Sequence, residues 1–414
     1  MYFIMNVVCF PLLRILLTLV AVASLTTSSR ADYGDMLKEF DFGVAEVKRD
    51  NTRDRVYVAS PSTNTVKVID SNSLAVLASI FTGSAPLRME LSADSSRLYV
   101  ANSGSTVQGI AVVNLSTLTI EKHISTYSYP RDVAISSNGR LFVLFSSEMR
   151  IYDAETGDQL GDHYDTYSSP SFTVYGGNIE SMPGKQKMIY YQTGLSPSSW
   201  SVLDVTTNPF SISKSGSWGS NGQGMSLSAD GNYVTFVSGA PYQIAKLDAS
   251  NPTSSYGTFN TGAYPRGATY SPDGRRLYAV HTSGHIDVWN AQTYVQLPQI
   301  PNSGEARILE CDRRNRVLFA GSQGANGYLR VIYINEAAPA EEINLNVETA
   351  MHVFWDSKRG ELYQVQWRHS LVGNDPWYDL GDPVLGNGLT MSVYDKLRGM
   401  KRKFYRVVVV TGNP

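Results

Sequence analysis

Hydrophobic and polar positions alternate along the chain in a sequence pattern that recurs. In SPDGRRLYAVHTSGHIDVWN (271–290), a polar turn precedes the apolar run Leu277–Val280, and a second turn precedes His285–Trp289. Asp-Gly and Thr-Ser-Gly favour tight turns, and apolar runs of this length between turns are typical of strands. With YVQLPQI (294–300) as a further strand, the phrase predicts a four-strand antiparallel unit.

The same order of turns and strands occurs seven times. Each copy ends its third strand on an acid or an amide, at intervals of about 40–50 residues. These closing residues are Asp70, Asn114, Asp153, Asp204, Asp248, Asn290 and Asn335. A four-strand unit of this period indicates a β-propeller, since a ring of units buries the faces that one unit leaves exposed. We therefore predict an all-β protein with a seven-bladed propeller over residues 32–338.

Residues 36–42 precede the first copy and predict how the ring closes. MLKEFDFGVAEV (36–47) parallels VLASIFTGSAPLRM (76–89), which runs from a fourth strand into the next first strand. Residues 36–42 are therefore predicted to be the fourth strand of blade seven. The alternative gives EEINLNV (341–347) to that blade and leaves residues 36–42 as an arm. The first assignment is preferred because an unpaired LKEFDF would expose a strand edge.

The repeat resembles a known family. P-R-x-x-x-x-S-P-D-G-R-x-L-Y followed by a third strand that ends on Asp or Asn is similar to the YVTN-type β-propeller repeat, with its best copies at 265–293 and 85–118. The fourth copy, PSFTVYGGNIESMPGKQKMIYY (170–191), departs from the pattern by an insertion and lacks S-P-D-G. The resemblance implies the fold but little about function, because propellers host many unrelated activities.

The phrase stops after residue 339. The segments Val353–Trp355, Tyr363–Val365 and Phe404–Val407 form short alternating strands that look like the small fibronectin-like β-sandwich modules of secreted bacterial proteins. Residues 339–414 are predicted to be such a module, in which the aromatic residues form the core. GMKRKFYR (399–406) is interpreted as a solvated edge strand.

The N-terminal residues and the amino-acid composition limit the possible cellular locations and binding partners of the protein. Residues 1–31 combine one early positive charge, the apolar stretch Ile15–Leu25 and a small-x-Ala site, which predicts a secretory signal peptide. We therefore expect a secreted, periplasmic or cell-surface protein with no membrane span after signal removal. The net charge of −2 does not favour nucleic acid as a partner. Cys311 is the one cysteine outside the signal, so no internal disulfide is expected.

No motif for catalysis or for a cofactor is present in the sequence. The chain lacks a phosphate-binding Gly loop, an H-E-x-x-H motif and a G-x-S-x-G motif, so no catalytic residue and no cofactor are predicted. The sequence therefore predicts an exported, non-catalytic binding or scaffolding protein. The alternative is a propeller enzyme of the lactonase or quinoprotein dehydrogenase type, since such enzymes use similar repeats.

One face of the predicted propeller collects side chains that suit ligand binding. In a four-strand meander, the start of the first strand and the hairpin between strands two and three lie on the same face. The candidate residues on that face are Tyr129, Arg131, Tyr167, Tyr264, Arg266, His281 and His285. Tyrosine beside arginine suits a carbohydrate or an anionic ligand, and a protein partner is also compatible with this face.

Two observations weaken this site. When the seven copies are aligned on the aspartate position of the turn between their first two strands, five copies have a residue other than arginine at the position of Arg131 and Arg266. Those residues are Ala45, Leu87, Ser171, Gln223 and Ala306. A complete ring of arginines is therefore absent. His281-x-x-x-His285 flanks a hairpin, but no third ligand stands out in the sequence, and no metal site is predicted.

Overall fold

The computed structural model describes residues 31–161, 163–165, 174–207, 210–262, 264–301, 303–335, 350–370, 373, 375–396 and 403–410. The predicted signal peptide, apart from Ala31, lies outside these residues, as does EEINLNV. The chain divides into two compact units, Met1–Glu336 and Ala337–Pro414. Among the described residues the regular structure consists of β-strands and a single 3-10 turn at Pro61–Thr63. The described residues contain no apolar helix long enough to cross a bilayer.

Unit 1 contains seven four-stranded antiparallel sheets in its described residues. The chain begins with β1 (Met36–Phe40). Sheet A consists of β2 (Glu46–Arg49), β3 (Arg55–Ser60), β4 (Thr65–Asp70) and β5 (Val76–Phe81); sheet B of β6 (Pro86–Leu91), β7 (Arg97–Asn102), β8 (Gly109–Asn114) and β9 (Thr119–Ile124); and sheet C of β10 (Asp132–Ile135), β11 (Arg140–Leu144), β12 (Glu148–Asp153) and β13 (Tyr164–Asp165). Sheet D consists of β14 (Asn178–Ser181), β15 (Lys187–Tyr191), β16 (Ser198–Asp204) and β17 (Ser211–Trp218); and sheet E of β18 (Ser220–Leu227), β19 (Tyr233–Ala240), β20 (Gln243–Asp248) and β21 (Asn251–Asn260). Sheet F consists of β22 (Pro265–Tyr270), β23 (Arg276–His281), β24 (Ile286–Asn290) and β25 (Gln296–Ile300); and sheet G of β26 (Ile308–Cys311), β27 (Val317–Gly321), β28 (Leu329–Tyr333) and β1.

Apolar side chains pack between successive sheets. In β7, Leu98 and Val100 join residues of sheet A, whereas Tyr99 and Ala101 join residues of sheet C, because alternate residues of a strand point to opposite faces. Equivalent clusters lie between C and D, D and E, E and F, and F and G. A further cluster joins G to A, so the order of cores is cyclic. This arrangement is consistent with a β-propeller.

The N-terminal strand completes sheet G, as predicted. β1 pairs antiparallel with β28, with Phe40 opposite Leu329 and Glu39 opposite Arg330. Phe40 packs in the core between sheets G and A, and Arg330 Nε lies 2.7 Å from Glu39 Oε2. The start of the chain therefore binds to the last sheet of unit 1, and the interpretation of residues 36–42 as an arm is wrong.

The recurring turns between first and second strands share one hydrogen-bond pattern. Ser271 Oγ donates to Asp273 Oδ1 over 2.6 Å and accepts the backbone N–H of Arg276 at 2.9 Å. In sheets A and G a fully buried aspartate, Asp50 or Asp312, stands where sheets B, C, E and F have serine, and sheet D has Met182 at this position. Sheet D is regular despite the unusual fourth copy, and β13 is the shortest strand of the seven sheets.

Unit 2 contains two sheets in its described residues. One pairs β29 (Ala350–Asp356) with β33 (Thr390–Lys396). In the other, β30 (Leu362–Arg368) pairs with β31 (Tyr378–Asp379), β32 (Val384–Leu385) and β34 (Phe404–Val409). The solvated interpretation of residues 399–406 is wrong at Lys403, whose side chain is only 5% exposed and pairs with Asp395 at 2.6 Å.

Candidate functional site

The first strands β2, β6, β10, β14, β18, β22 and β26 contact one another in cyclic order. Their alternate residues line an interior cavity of about 290 Å³, which we call the channel. The strands present these side chains inward because residues two apart on a strand share a face. The charged residues and the serine, threonine, asparagine and glutamine residues that line the channel are Glu46, Lys48, Arg49, Arg88, Asp132, Asn178, Glu180, Gln223, Ser226, Arg266, Thr269, Arg307, Glu310 and Gln323. The channel is therefore polar and rich in both signs of charge.

A second cavity, of about 560 Å³, opens at the end of the channel where the first strands begin. We call it the mouth cavity. Arg88, Asn178, Gln223 and Gln323 line both cavities, so the two are continuous. The mouth cavity adds Arg131 and Tyr175 and has no carboxylate among its lining residues. It therefore offers cationic and amide groups to a ligand.

The predicted arginine position is occupied in three sheets, one more than the sequence alignment indicated. Arg131 N–H donates to Leu144 O at 2.7 Å, and Arg307 N–H donates to Gly321 O at 2.8 Å in the equivalent register. Arg307 therefore takes the place that the alignment gave to Ala306. By the same pairing, Gly177 rather than Ser171 stands at this position in sheet D. Both corrections arise because the turns of sheets D and G lack the S-P-D-G spacing on which the alignment was made.

These three arginines are available to a ligand. Arg131 lines the mouth cavity, whereas Arg266 and Arg307 line the channel. Within the described residues, none of the three guanidinium groups forms an ion pair. Arg131, Arg266 and Arg307 are thus not neutralised by a fixed carboxylate partner in this part of the chain, in contrast to Arg88, which pairs with Glu46.

The predicted tyrosines do not form one cluster. Tyr264 accepts hydrogen bonds from the side-chain amides of Asn221 and Gln223, the latter at 3.1 Å, which ties the first strand of sheet F to that of sheet E. Tyr129 is 45% exposed and lines neither cavity. Tyr167 lies outside the described residues. The tyrosine contribution to the mouth cavity comes instead from Tyr175, which the sequence did not single out.

The predicted histidines lie together at a hairpin. His281 is the last residue of β23 and pairs with Pro265, so it stands on the predicted face beside the start of β22. The ring centroids of His281 and His285 are 4.2 Å apart at an interplanar angle of 87°. Neither residue lines the mouth cavity. The site predicted as one surface is therefore two separate features, an arginine-lined mouth and a histidine pair.

Ion pairs and backbone donors hold the channel acids in place. Lys48 Nζ lies 3.2 Å from Glu90 Oε2, and Arg49 Nη1 lies 2.9 Å from Glu310 Oε1. Arg88 Nη1 lies 3.6 Å from Glu46 Oε1. The carboxylate of Glu46 also accepts the backbone N–H of Met89.

Asp132 connects two neighbouring sheets through hydrogen bonds. Its Oδ2 accepts the side-chain amide of Asn178 and the backbone N–H of Ile179, both at 3.2 Å. Glu46, Asp132 and Glu310 therefore have defined positions relative to the first strands.

Burial raises the pKa values of these acids. It raises the pKa of Glu46 to about 8 against the opposing effect of Lys48 and Arg88, and that of Glu180 to about 7 against Lys48. The pKa values of Glu90, Asp132 and Glu310 are raised for the same reason. Carboxyl groups that titrate near neutrality can take up or release a proton at physiological pH, and such groups concentrate at functional sites.

Sequence analysis missed the channel acids, although a signal for them exists. AEVKR (45–49) and LRMEL (87–91) place charged residues at alternate positions of strands that are otherwise apolar. On a surface strand this pattern indicates the solvent face, so the sequence does not distinguish solvent from a channel. The closed order of the sheets makes that distinction.

The comparisons with known proteins identify the fold alone. No protein-family profile matches the chain, and no curated protein matches it. Among solved structures, 1581 chains match, so the architecture is widely shared. One of them is a chain of Kuenenia stuttgartiensis hydrazine synthase, with a TM-score of 0.55 and 15% sequence identity. The match covers 75% of this chain and 98% of that one.

Proposed function

We propose that this is an exported, non-catalytic binding or scaffolding protein that holds an anionic small molecule at the mouth of its channel. The observation that carries the proposal is the mouth cavity, where Arg131 stands among side-chain amides and none of the described lining residues is a carboxylate. Guanidinium groups bind carboxylate and phosphate oxygens through two parallel hydrogen bonds. Arg266 and Arg307 add two further cations where the cavity continues into the channel.

The fold supports this proposal when the seven sheets are taken as the blades of one propeller. The seven inter-sheet cores follow one another in a closed order, and β1 completes sheet G from the start of the chain. We further infer that the blades belong to the YVTN type and that unit 2 is a fibronectin-like sandwich. A closed ring gives a rigid rim, and a rigid site loses less entropy when it binds a ligand.

The ligand class can be tested with a panel of small anions. Succinate, citrate, glucuronate and inorganic phosphate are titrated into the protein by calorimetry, with glucose and methyl glucuronate as uncharged controls. We expect at least one anion to bind with one site per chain, and we expect its affinity to fall as salt is added, because screening weakens the contact. An equal response to the uncharged controls, or no binding of any anion, would contradict the proposal.

The arginines provide the matched variants. Arg131→Ala combined with Arg266→Ala is expected to weaken anion binding about tenfold or more, since a charge-assisted hydrogen bond contributes about 1.5–3 kcal/mol. Arg275→Ala removes an exposed arginine from a turn between β22 and β23 at the opposite end of the sheet, so binding should not change. Thermal unfolding without ligand should be nearly equal in all variants. Unchanged affinity in the double variant would remove these residues from the site.

Export and the absence of catalysis have their own tests. N-terminal sequencing of the protein recovered from its native host is expected to begin at Asp32. Stoichiometric binding of a quinone cofactor, seen as a rise in unfolding temperature and a bound chromophore, would instead indicate an enzyme.

A further inference from the structure

Three potential metal ligands meet at the hairpin between β23 and β24. His281 Nε2 lies 3.1 Å from Asp287 Oδ2, and His285 Nε2 lies 3.4 Å from Asp287 Oδ1. The three candidate ligand atoms lie within 4.8 Å of one another, the one such group of three in the described residues. Sequence analysis found only the two histidines. Asp287 completes the group because it stands two residues beyond His285 and so shares its face.

The separations suit a common central ion. In a tetrahedral site with bonds of about 2.0–2.1 Å, neighbouring ligand atoms are about 3.3 Å apart. The separation of His281 Nε2 from Asp287 Oδ2, 3.1 Å, is close to that value, and one ligand atom from each of the three residues lies within 4.8 Å of the other two. Two imidazoles and one carboxylate are a donor set that divalent transition ions accept.

Two buried atoms in this group lack a hydrogen bond. His281 Nε2 and Asp287 Oδ2 are both buried and neither has a hydrogen-bond partner, although they face each other at 3.1 Å. The side chains of His281 and Asp287 are 2% and 1% exposed. A buried polar group without a partner costs about 1–3 kcal/mol. A cation bound by both atoms would satisfy both.

Neighbouring side chains orient the ligands from outside. Ser283 Oγ lies 2.6 Å from His281 Nδ1 and 2.9 Å from His285 Nδ1, and also 3.4 Å from His285 Nε2. If each Nδ1–H donates to this hydroxyl, both Nε2 atoms keep their lone pairs for a metal. The Ser283 backbone N–H faces His281 Nδ1 with 3.4 Å between the nitrogens, and it donates to this atom only in the other tautomer of the His281 ring.

The carboxylate has its own supports. Asp287 Oδ1 accepts the side-chain amide of Gln299 at 2.5 Å and that of Gln296 at 3.3 Å. Both glutamines belong to β25, so three strands of sheet F hold the group. Partners of this kind fix the orientation of ligands and are a regular part of metal sites.

We propose that His281, His285 and Asp287 bind one divalent transition-metal ion of the Zn²⁺ class. Three protein ligands leave a fourth position, and the 27% exposure of His285 places the open side toward solvent. That position suits water or an anionic group, as in other three-ligand sites. The site does not depend on the proposed ligand at the mouth cavity, because neither histidine lines it.

A serine nucleophile is the competing interpretation of the same residues. A Ser–His–Asp relay needs an aligned hydrogen bond between histidine and aspartate, which orients the ring and stabilises its charged form. Here His281 Nε2 and Asp287 Oδ2 are close but form no hydrogen bond. The unsatisfied pair therefore favours a metal.

The test uses the full mature chain after treatment with a chelator. Calorimetric titration with ZnCl₂ is expected to show one site per chain, and titration with CoCl₂ to produce the intense visible absorption of tetrahedral Co²⁺. His281→Ala, His285→Ala and Asp287→Asn should each weaken binding by about 100-fold or more. Ser283→Ala, which alters only the outer contact, should weaken it by about tenfold. His123→Ala, on the exposed strand β9, is the matched control and should bind as the parent does.

Each outcome decides the proposal. Thermal unfolding without metal shows which variants remain folded, and Asp287→Asn, which keeps the size of the side chain, serves if His281→Ala does not fold. Absence of one-site binding in the parent, or equal affinity in the ligand variants and His123→Ala, would overturn the proposal. Covalent labelling of Ser283 by a fluorophosphonate would also overturn it, in favour of a nucleophile.

Discussion

The carboxylates of the turns and those of the channel belong to the same sheets, yet their surroundings shift their pKa values in opposite directions. Hydrogen bonds from backbone N–H groups and from serine or threonine hydroxyls lower the pKa values of Asp70, Asp94, Asp153 and Asp204. Burial raises those of the channel acids Glu46, Asp132, Glu180 and Glu310, and that of Glu90 beside them. The turn acids thus stabilise the fold as anions, whereas the channel acids are costly when ionised.

The difference teaches that an acid's role follows from its surroundings. A turn acid is surrounded by local donors that its own segment supplies, as when Asp94 accepts from Ser92 and Ser96. A channel acid depends on strands that are distant along the chain, as when Glu310 meets Arg49. The turn acids are therefore visible as a motif, and the channel acids are not.

Opening the ring is expected to have the largest effect, because β1 completes sheet G and Phe40 packs in the core between sheets G and A. A chain that begins at Gly43 lacks β1 and therefore loses the burial of Phe40 and the pairing with β28. We expect the free energy of unfolding to fall by about 3–5 kcal/mol relative to a chain that begins at Asp32. Denaturant unfolding measures the loss, and Leu37→Ala, at an exposed position of β1, is the control. Equal stability of the two chain lengths, or fast hydrogen exchange at residues 37–40 of the parent, would contradict the closure.

Removing Asp50, a fully buried turn acid, should have the next largest effect. Asp50 accepts hydrogen bonds from the backbone N–H groups of Thr52 and Arg53, from the Arg53 guanidinium and from the Tyr57 hydroxyl. Asp50→Ala leaves these donors unsatisfied, so we expect a loss of about 2–4 kcal/mol in chemical denaturation at pH 7. If Asp50→Ala lowered the free energy of unfolding no more than Asp94→Ala does, the burial of Asp50 would not increase the stabilising effect of its hydrogen bonds.

A channel acid should respond in the opposite direction. The pKa of Glu46 is raised by burial to about 8, so the folded state binds more protons than the unfolded state between about pH 4.5 and 8. This group therefore lowers stability as pH rises through that interval, with a slope of up to about 1.4 kcal/mol per pH unit. Glu46→Gln removes this dependence and should be more stable than the parent by about 1–3 kcal/mol at pH 9. Unfolding of both proteins across the pH range measures the difference, and parallel profiles would contradict the raised pKa.

The exposed turn acid should give the smallest effect and the reverse dependence on pH. Hydrogen bonds from Ser92 and Ser96 lower the pKa of Asp94 to about 2, so its contribution is present above the ordinary pKa near 4 and is lost as pH falls toward 2. Asp94→Ala should cost about 0.5–1 kcal/mol at pH 7, as for other side-chain acceptors of backbone N–H groups. Asp94→Asn keeps an acceptor and should recover most of the loss. A cost that grows as pH falls would contradict this assignment.

The sequence by itself determined the strands, the turns and the pairing that completes the last sheet. Continuous apolar runs such as RLYVAN and the S-x-D turns between them are local signals, because both can be recognised within a few residues. The parallel between residues 36–47 and 76–89 was enough to place β1, since one repeat supplies the template for another.

Only the tertiary structure decided the functional features. The pairing register of β26 and β27 places Arg307 at the position equivalent to Arg131 and Arg266. The sequence alignment missed this equivalence because the turn of sheet G differs in spacing by one residue. Asp287 was identified as the proposed third ligand because the fold places its carboxylate, on β24, close to the imidazoles of His281 and His285. The raised pKa of Glu46 exists because the ring of seven first strands buries its carboxyl group, and no local pattern encodes that burial. Local hydrogen bonding can be inferred from neighbours in sequence, whereas burial and ligand geometry depend on residues that meet only in space.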